Sequence, residues 1–225
     1  MKPVLVSDEA RKVWKLASGF PPDKEAVYPE HGKVQEFDLH HGKQCLDYGC
    51  GGGPDTMSFL RRGNEVWYAD VVPENIQTTT ERVRAMGCEG RAHPVPLEYS
   101  APIPLPSASL DVVSSHGVLH HIPEVLPVVT EFFRLLRSGS LCYVMLYTEV
   151  MWERFLPEMR RRIERGLFKS YEAAFCSLTD PGGPSYARPY TDQEGRDLLT
   201  GAGFEMVSSP LWNDRNFRTF KAQKP

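Results

Sequence analysis

The chain has 225 residues and a formal net charge of −3 at pH 7, and this length fits one α/β domain with a single substantial core. The small charge gives no electrostatic reason to expect nucleic-acid or membrane-surface binding. No apolar run approaches the roughly 18–20 residues that a membrane-spanning helix needs. The five cysteines contain no C-x-x-C pair, which favours reduced thiols. We therefore expect one cytoplasmic domain over residues 1–225, with no secretory leader.

Short apolar runs alternate with helical patterns from Lys43 onward, which is typical of a parallel sheet with helices on both faces. The third strand is the least regular, because Pro94 and Pro96 restrict it to a short or edge position. Predicted strands cover residues 44–48, 65–69, 91–95, 110–114 and 141–146, and predicted helices cover 55–62, 74–86 and 124–136.

The C-terminal part begins with a capping-box pattern, in which Thr191 is followed three residues later by Glu194. This pattern predicts a helix to about residue 200, and two strands are predicted after it, over 204–208 and 217–222, joined through 212–214.

Two segments fall outside this alternation. Residues 1–40 contain a predicted helix at 8–17, and residues 148–190 contain one at 152–167, followed by a Pro- and Gly-rich loop at 180–184. Long connections in compact domains are often functional, and ligands of α/β sheets bind beyond the carboxyl ends of the strands. We expect both segments to cover a substrate site. The alternative is packing at a sheet edge or a contact in a homodimer.

A glycine-rich run follows the first predicted strand, with glycines at 49, 51 and 53. Glycines at a strand-to-helix junction let a nucleotide-like ligand approach the backbone amides. Asp70 ends the next apolar run, where an acid can accept hydrogen bonds from ribose hydroxyls. A dinucleotide fingerprint needs its third glycine at position 54, which holds Pro54. The D-x-G-x-G-x-G spacing therefore disfavours a nicotinamide cofactor.

Four motifs in order make the chain similar to a known family. CLDYGCGGGPDT, VWYADVVPENI, LDVVSSHGVLHHIPEV and the region 131–147 resemble the successive motifs of class I S-adenosylmethionine (SAM)-dependent methyltransferases, here of a bacterial small-molecule type. The resemblance implies a Rossmann-like, seven-stranded, mostly parallel sheet with helices on both faces. It also implies an antiparallel C-terminal hairpin, a helical insertion after the fifth strand, and SAM as cofactor.

The resemblance assigns cofactor contacts to individual positions. Asp47 is placed near the methionine amino group, with a turn-stabilising role as the alternative. Val71 is placed against the adenine, and His116 at the methionine end. Glu98 is a weak candidate for adenine recognition, since the usual motif after the third strand is absent and an exposed loop carboxylate explains it equally. The remaining cofactor positions are Gly49, Cys50, Gly51, Gly53 and Asp70.

Three histidines follow the fourth predicted strand. His116 and His120 have i, i+4 spacing, but a strand end and loop do not give helical geometry and no adjacent acid or cysteine cluster completes a ligand set, so we expect no metal. A His-His pair at this point is common in the resembled family. His121, or else His120, is the candidate general base, and Glu149 is a candidate to orient it. A purely structural role for the pair is the alternative.

The substrate candidates lie just before the capped helix: Tyr186, Arg188 and Tyr190. These residues could face a substrate, which makes an anionic group a candidate feature, or they could fasten the insertion to the core. The chain lacks the Asn/Asp-Pro-Pro-Tyr/Phe motif of amino-group methylation and the Pro-Cys pair of cytosine methylation. We expect methyl transfer to O, N or C of a small molecule. A non-catalytic SAM-binding module and, less favoured, a nicotinamide oxidoreductase are the alternatives.

Overall fold

The computed structural model describes residues 33–98, 102–180, 183–207 and 215–225. The predicted helix at 8–17 and the connection at 212–214 lie outside these ranges. Within them, no helix combines the length and the apolar character needed to cross a membrane.

The centre of the molecule is a seven-stranded sheet with strand order β3-β2-β1-β4-β5-β7-β6. The strands are β1 (Gln44–Tyr48), β2 (Glu65–Asp70), β3 (Ala92–Pro96), β4 (Leu110–His116), β5 (Leu136–Tyr147), β6 (Glu205–Met206) and β7 (Phe217–Gln223). The first five run parallel, whereas β7 pairs antiparallel with both β5 and β6. The predicted Rossmann-like architecture and its antiparallel C-terminal pair are therefore confirmed, as is the edge position of β3.

Six α-helices are described: α1 (Pro54–Arg61), α2 (Pro73–Ala85), α3 (Leu126–Leu135), α4 (Glu149–Glu164), α5 (Tyr171–Thr179) and α6 (Asp192–Gly201). Successive strand residues face opposite helical layers, as the period of two requires. In β1, for example, Cys45 packs with α1 and α2, while Leu46 packs with α3 and α6. Both faces of the sheet are thus apolar, which explains the near-continuous apolar runs in the sequence.

The boundaries of α3 and β5 differ from the prediction. The helix ends at Leu135, and β5 begins immediately, because Leu136 pairs with Leu110 of β4 and the Gly139 amide donates to the Lys224 carbonyl. The prediction placed residues 137–140 between the helix at 124–136 and the strand at 141–146. Pairing with β4 and with the C-terminal strand extends them instead, and neither contact is visible in local sequence.

The insertion at 148–190 contains two helices, although only one was predicted. Thr148 caps α4 by accepting a hydrogen bond from the Met151 amide, so the helix starts earlier than expected. Ser170 caps the additional helix α5 in the same way. The two helices enclose a small core of their own around Met159 and Phe175. The insertion returns to the sheet where Tyr190 pairs in parallel with Thr148, next to the carboxyl end of β5.

Candidate functional site

The glycine run connects the carboxyl end of β1 to α1. The amides of Gly49 and Cys50 both donate to the Ala69 carbonyl, at 2.7 and 3.0 Å. Gly49, Gly51 and Gly53 have φ angles of +77°, +54° and +83°, where side chains are strained. A Cβ on Gly53 would lie 2.7 Å from Thr79, whereas one on Gly51 would meet nothing within 4 Å. The protein thus leaves open space beside Gly51, where a ligand can reach the backbone.

Asp70 lies at the end of β2 with its carboxylate turned toward this loop. It accepts hydrogen bonds from the amides of Gly51 (2.9 Å) and Val72 (2.8 Å) and from Asn75 Nδ2 (3.1 Å). Burial raises the pKa of the Asp70 carboxyl, while these donors act in the opposite direction. A carboxylate offers about four lone-pair positions, so three are already used. Bidentate binding of two ribose hydroxyls would require exchange of at least one of them.

The other residues expected around the cofactor have mixed surroundings. Asp47 is buried and accepts a 2.6 Å hydrogen bond from Thr56 Oγ1 in the first turn of α1, which matches the turn-stabilising alternative. Cys50 is buried with Sγ 3.8 Å from Thr79 Oγ1, and burial raises the pKa of its thiol well above the ordinary value. Val71 is 54% exposed beside Asp70, so its side chain is open to an adenine ring.

Glu98 and His116 lie at or just beyond the carboxyl ends of β3 and β4. Glu98 is exposed, next to residues 99–101, which lie outside the described ranges. His116 is the last residue of β4, opposite Met145 of β5, and Gly117 follows at φ +84°. Their cofactor contacts stay predictions.

The two adjacent histidines form a 3₁₀ turn, Leu119–His121, beyond β4. His120 is completely buried and stacks on Tyr147, with ring centroids 3.6 Å apart and an interplanar angle of 20°. Neither ring nitrogen has a hydrogen-bond partner among the described residues. Burial lowers the pKa of His120 well below its ordinary value. A neutral, enclosed imidazole suits packing under the turn better than proton exchange with a substrate.

His121 has both ring nitrogens directed at protein atoms. Nδ1 lies 2.8 Å from the Tyr186 carbonyl, which can only accept, so Nδ1 carries the proton. Nε2 lies 3.6 Å from Asp180 Oδ2. Burial lowers the pKa of His121, and the opposing effects of Asp180 and the Tyr186 carbonyl are smaller. Tyr147 donates its hydroxyl hydrogen bond to the same carboxylate, at 3.0–3.1 Å.

The carboxylate that faces His121 is therefore Asp180, whereas the orienting role of Glu149 stays a prediction. The described ion pair of Glu149 is with Arg218 of β7, at 3.6 Å, because Glu149 begins α4 and turns toward that strand. Sequence reasoning missed Asp180 because it follows the unpredicted helix α5. Its only local signal was the Asp-Pro pair at 180–181, which we interpreted as a loop.

The substrate candidates mostly hold the returning segment in place. The Arg188 guanidinium lies 3.9 Å from the centre of the Tyr190 ring and 3.3 Å from Glu194 Oε1. The Arg188 amide also donates to the His120 carbonyl. Tyr190 is 2% exposed. The fastening alternative therefore fits Arg188 and Tyr190, whereas Tyr186 is partly exposed beside His121.

Comparison with known proteins agrees with this geometry. Residues 46–144 match the family model described as a methyltransferase domain. Two curated relatives are named ubiquinone biosynthesis O-methyltransferase. The protein from Psychrobacter arcticus is 29% identical, and that from Psychrobacter cryohalolentis 32%, each over 79% of this chain and 65% of the relative. The chain thus spans slightly less than two thirds of the length of these relatives.

Solved structures share the fold. A SAM-dependent methyltransferase from Aquifex aeolicus superposes with a TM-score of 0.64 at 18% identity, over 97% of this chain and 100% of that one. Residues 46–144 are thus similar to a methyltransferase domain, and the chain shares the fold of this SAM-dependent methyltransferase. The [4+2]-cyclase SpnF also superposes, with a TM-score of 0.63 at 16% identity, over 85% of this chain and 78% of that one. The fold by itself therefore does not decide the reaction.

Proposed function

We propose that this chain is a methyltransferase that binds SAM and transfers its methyl group to an oxygen atom of a small molecule. The observation that carries the proposal is the open space beside Gly51 next to the buried Asp70 carboxylate, at the carboxyl ends of β1 and β2. The choice of oxygen is supported by the names of the relatives. These include the two ubiquinone biosynthesis O-methyltransferases and a 27-O-demethylrifamycin SV methyltransferase that is 30% identical over 45% of this chain.

In this proposal the glycine loop supplies backbone amides to the cofactor, and Asp70 accepts hydrogen bonds from its ribose after giving up the Gly51 or Asn75 contact. Val71 covers one face of the adenine. SAM brings an activated methyl group, so the protein's own contribution is alignment of the acceptor and exclusion of water. The insertion, which leaves and re-enters at the end of β5, is positioned to provide that cover.

The geometry does not support a proton-accepting role for either histidine, because His120 is enclosed and both nitrogens of His121 face protein atoms. We therefore propose positioning as the main contribution of the protein. Arg188 already faces Glu194, so an anionic substrate forms no part of the proposal.

Calorimetric titration with S-adenosylhomocysteine tests the cofactor site. Asp70→Asn should weaken binding by about tenfold or more, since hydrogen bonds to a charged group contribute about 1.5–3 kcal/mol. Asp197→Asn is the matched control, because Asp197 is an exposed acid on α6 whose carboxylate accepts a hydrogen bond from Gln193, one helical turn earlier. Unchanged affinity in folded Asp70→Asn, or stronger binding of NAD than of S-adenosylhomocysteine, would contradict the proposed site.

The reaction is tested by incubating the chain with isotopically labelled SAM and small phenols, alcohols, carboxylic acids and amines. Mass-spectrometric location of the methyl group should place it on oxygen. A product methylated on nitrogen or carbon would refute the choice of atom but leave the cofactor site intact. Tight S-adenosylhomocysteine binding without transfer to any acceptor would favour a module that binds SAM without turnover.

A further inference from the structure

A second group of chemically reactive side chains lies between the insertion and the sheet. One ligand atom each of His121, Cys176 and Asp180 lies within 4.8 Å of the other two. His121 comes from the 3₁₀ turn after β4, Cys176 from α5, and Asp180 from the residue that ends α5. Cys176 and Asp180 are four residues apart, so the end of the helix presents both on the same side. Three residues from two separate elements therefore converge.

The orientation of His121 is the decisive feature of this group. Its Nδ1–H is used by the Tyr186 carbonyl, so the lone pair of the neutral ring is on Nε2. That lone pair faces Asp180 Oδ2 at 3.6 Å. Two hydrogen-bond acceptors, Nε2 and Oδ2, therefore face each other. A backbone carbonyl on Nδ1 with Nε2 free is the usual arrangement of a metal-binding histidine.

The neighbouring contacts hold the other two groups. The Tyr147 hydroxyl donates to Asp180, which orients the carboxylate toward the histidine. Cys176 is buried, and its thiol donates to the Pro184 carbonyl. Asp180 is the most exposed of the three side chains. Its side chain is 26% exposed, compared with 11% for His121, and Cys176 is buried. An ion can therefore reach the group from the Asp180 side.

We propose that His121, Cys176 and Asp180 bind a divalent transition-metal ion of the zinc type. Imidazole nitrogen, thiolate sulfur and carboxylate oxygen are zinc donors, whereas Ca²⁺ and Mg²⁺ require oxygen ligands. The 3.6 Å between Nε2 and Oδ2 is close to the edge of a tetrahedron with metal–ligand distances of roughly 2.0–2.2 Å. Three protein ligands leave a fourth position for water.

Metal binding would exchange the thiol proton for a metal–sulfur bond. The Cys176 S–H bond breaks, the proton leaves to solvent, and the hydrogen bond to the Pro184 carbonyl is lost. Burial raises the pKa of this thiol to about 12, so the metal must displace the proton. The consequence for the fold is a link between α5 and the turn after β4. The insertion would then be anchored to the core at a second point besides the Thr148–Tyr190 bridge.

Cobalt titration of the full chain, without a histidine tag and after treatment with a chelator, tests this site. One Co²⁺ per chain should bind and produce thiolate-to-cobalt charge-transfer absorption together with tetrahedral d–d bands, and Zn²⁺ should remove both. Cys176→Ser should abolish the charge-transfer absorption. His121→Gln should weaken cobalt affinity by more than the 10–100-fold that outer contacts of metal sites contribute.

Cys88→Ser is the matched control. Cys88 is a partly buried cysteine between α2 and β3, and its Sγ donates to the Met86 carbonyl and accepts from the Arg91 guanidinium. It should leave the cobalt spectrum unchanged. Absence of charge-transfer absorption in the wild type at excess Co²⁺, or an identical spectrum in folded Cys176→Ser, would overturn the proposal and leave His121 and Asp180 as a structural contact between the turn after β4 and α5. Circular dichroism and S-adenosylhomocysteine titration of each variant separate this outcome from misfolding and from failure of the cofactor site.

Discussion

Replacing Gly49 with alanine tests how tightly the strand-to-helix junction is built. Gly49 has a φ angle of +77°, and an added Cβ would lie 2.8 Å from Val118 Cγ1, 3.0 Å from its Cβ and closer still to Cγ2. A left-handed conformation costs an L-residue about 1–2 kcal/mol. Val118 is partly buried against the core, and overpacking of this kind costs about 1–3 kcal/mol. We expect Gly49→Ala to lower the free energy of unfolding by about 2–5 kcal/mol, a large part of a domain's typical 5–15 kcal/mol.

Gly51→Ala is the matched control within the same loop. Gly51 has a φ angle of +54°, but a Cβ there meets nothing within 4 Å, so only the conformational cost of about 1–2 kcal/mol applies. The added methyl group occupies the space proposed for the cofactor, however. Gly51→Ala should therefore lose affinity for S-adenosylhomocysteine without the larger loss of stability. Comparison of the two variants therefore separates the effect of packing on stability from the effect of loop space on ligand binding.

Urea denaturation followed by tryptophan fluorescence measures these differences. A double-mutant cycle of Gly49→Ala with Val118→Ala should recover about 1–3 kcal/mol of coupling, because the smaller side chain removes the overlap. Zero coupling in this cycle, or equal destabilisation by Gly49→Ala and Gly51→Ala, would refute the steric reasoning.

Three further predictions concern the body of the fold. Thr191→Ala should lower the free energy of unfolding by about 1 kcal/mol, and Thr191→Ser should not, because the capping box with Glu194 is present; equal denaturation midpoints for the two variants would contradict this. Gly195→Ala should cost about 1–3 kcal/mol, since its Cβ would overlap the Phe220 ring, and Phe220→Leu should reduce that cost. Burial lowers the pKa of His40 to about 4. The unfolded chain therefore binds more protons between about pH 6.5 and 4, and His40 should cost stability progressively as the pH falls through that window, by up to about 3 kcal/mol. His40→Gln should remove this component from the pH dependence of urea denaturation, and identical pH profiles would rule it out.

Local sequence was sufficient wherever a feature depends on near neighbours in the chain. The bounds of β1 and the capping box at Thr191 agree with the prediction. The prolines at 94 and 96 placed β3 at the sheet edge. The glycine positions of the loop were also recognised, because positive φ angles exclude most other residues. In each case, backbone conformation or capping chemistry acts over a few residues, and the residue type records it directly.

Only the tertiary structure decided which distant groups meet. Asp180 faces His121 although the two residues are 59 positions apart in the chain, and Glu149 pairs with Arg218 rather than with a histidine. The early start of β5 depends on partners in β4 and at the C-terminus. The Asp70 carboxylate was expected to be free for ribose but accepts hydrogen bonds from the loop. Side-chain partners are selected by packing of whole elements, since each buried polar group must find a donor or acceptor wherever the fold supplies one. Periodicity along one element carries no information about that choice.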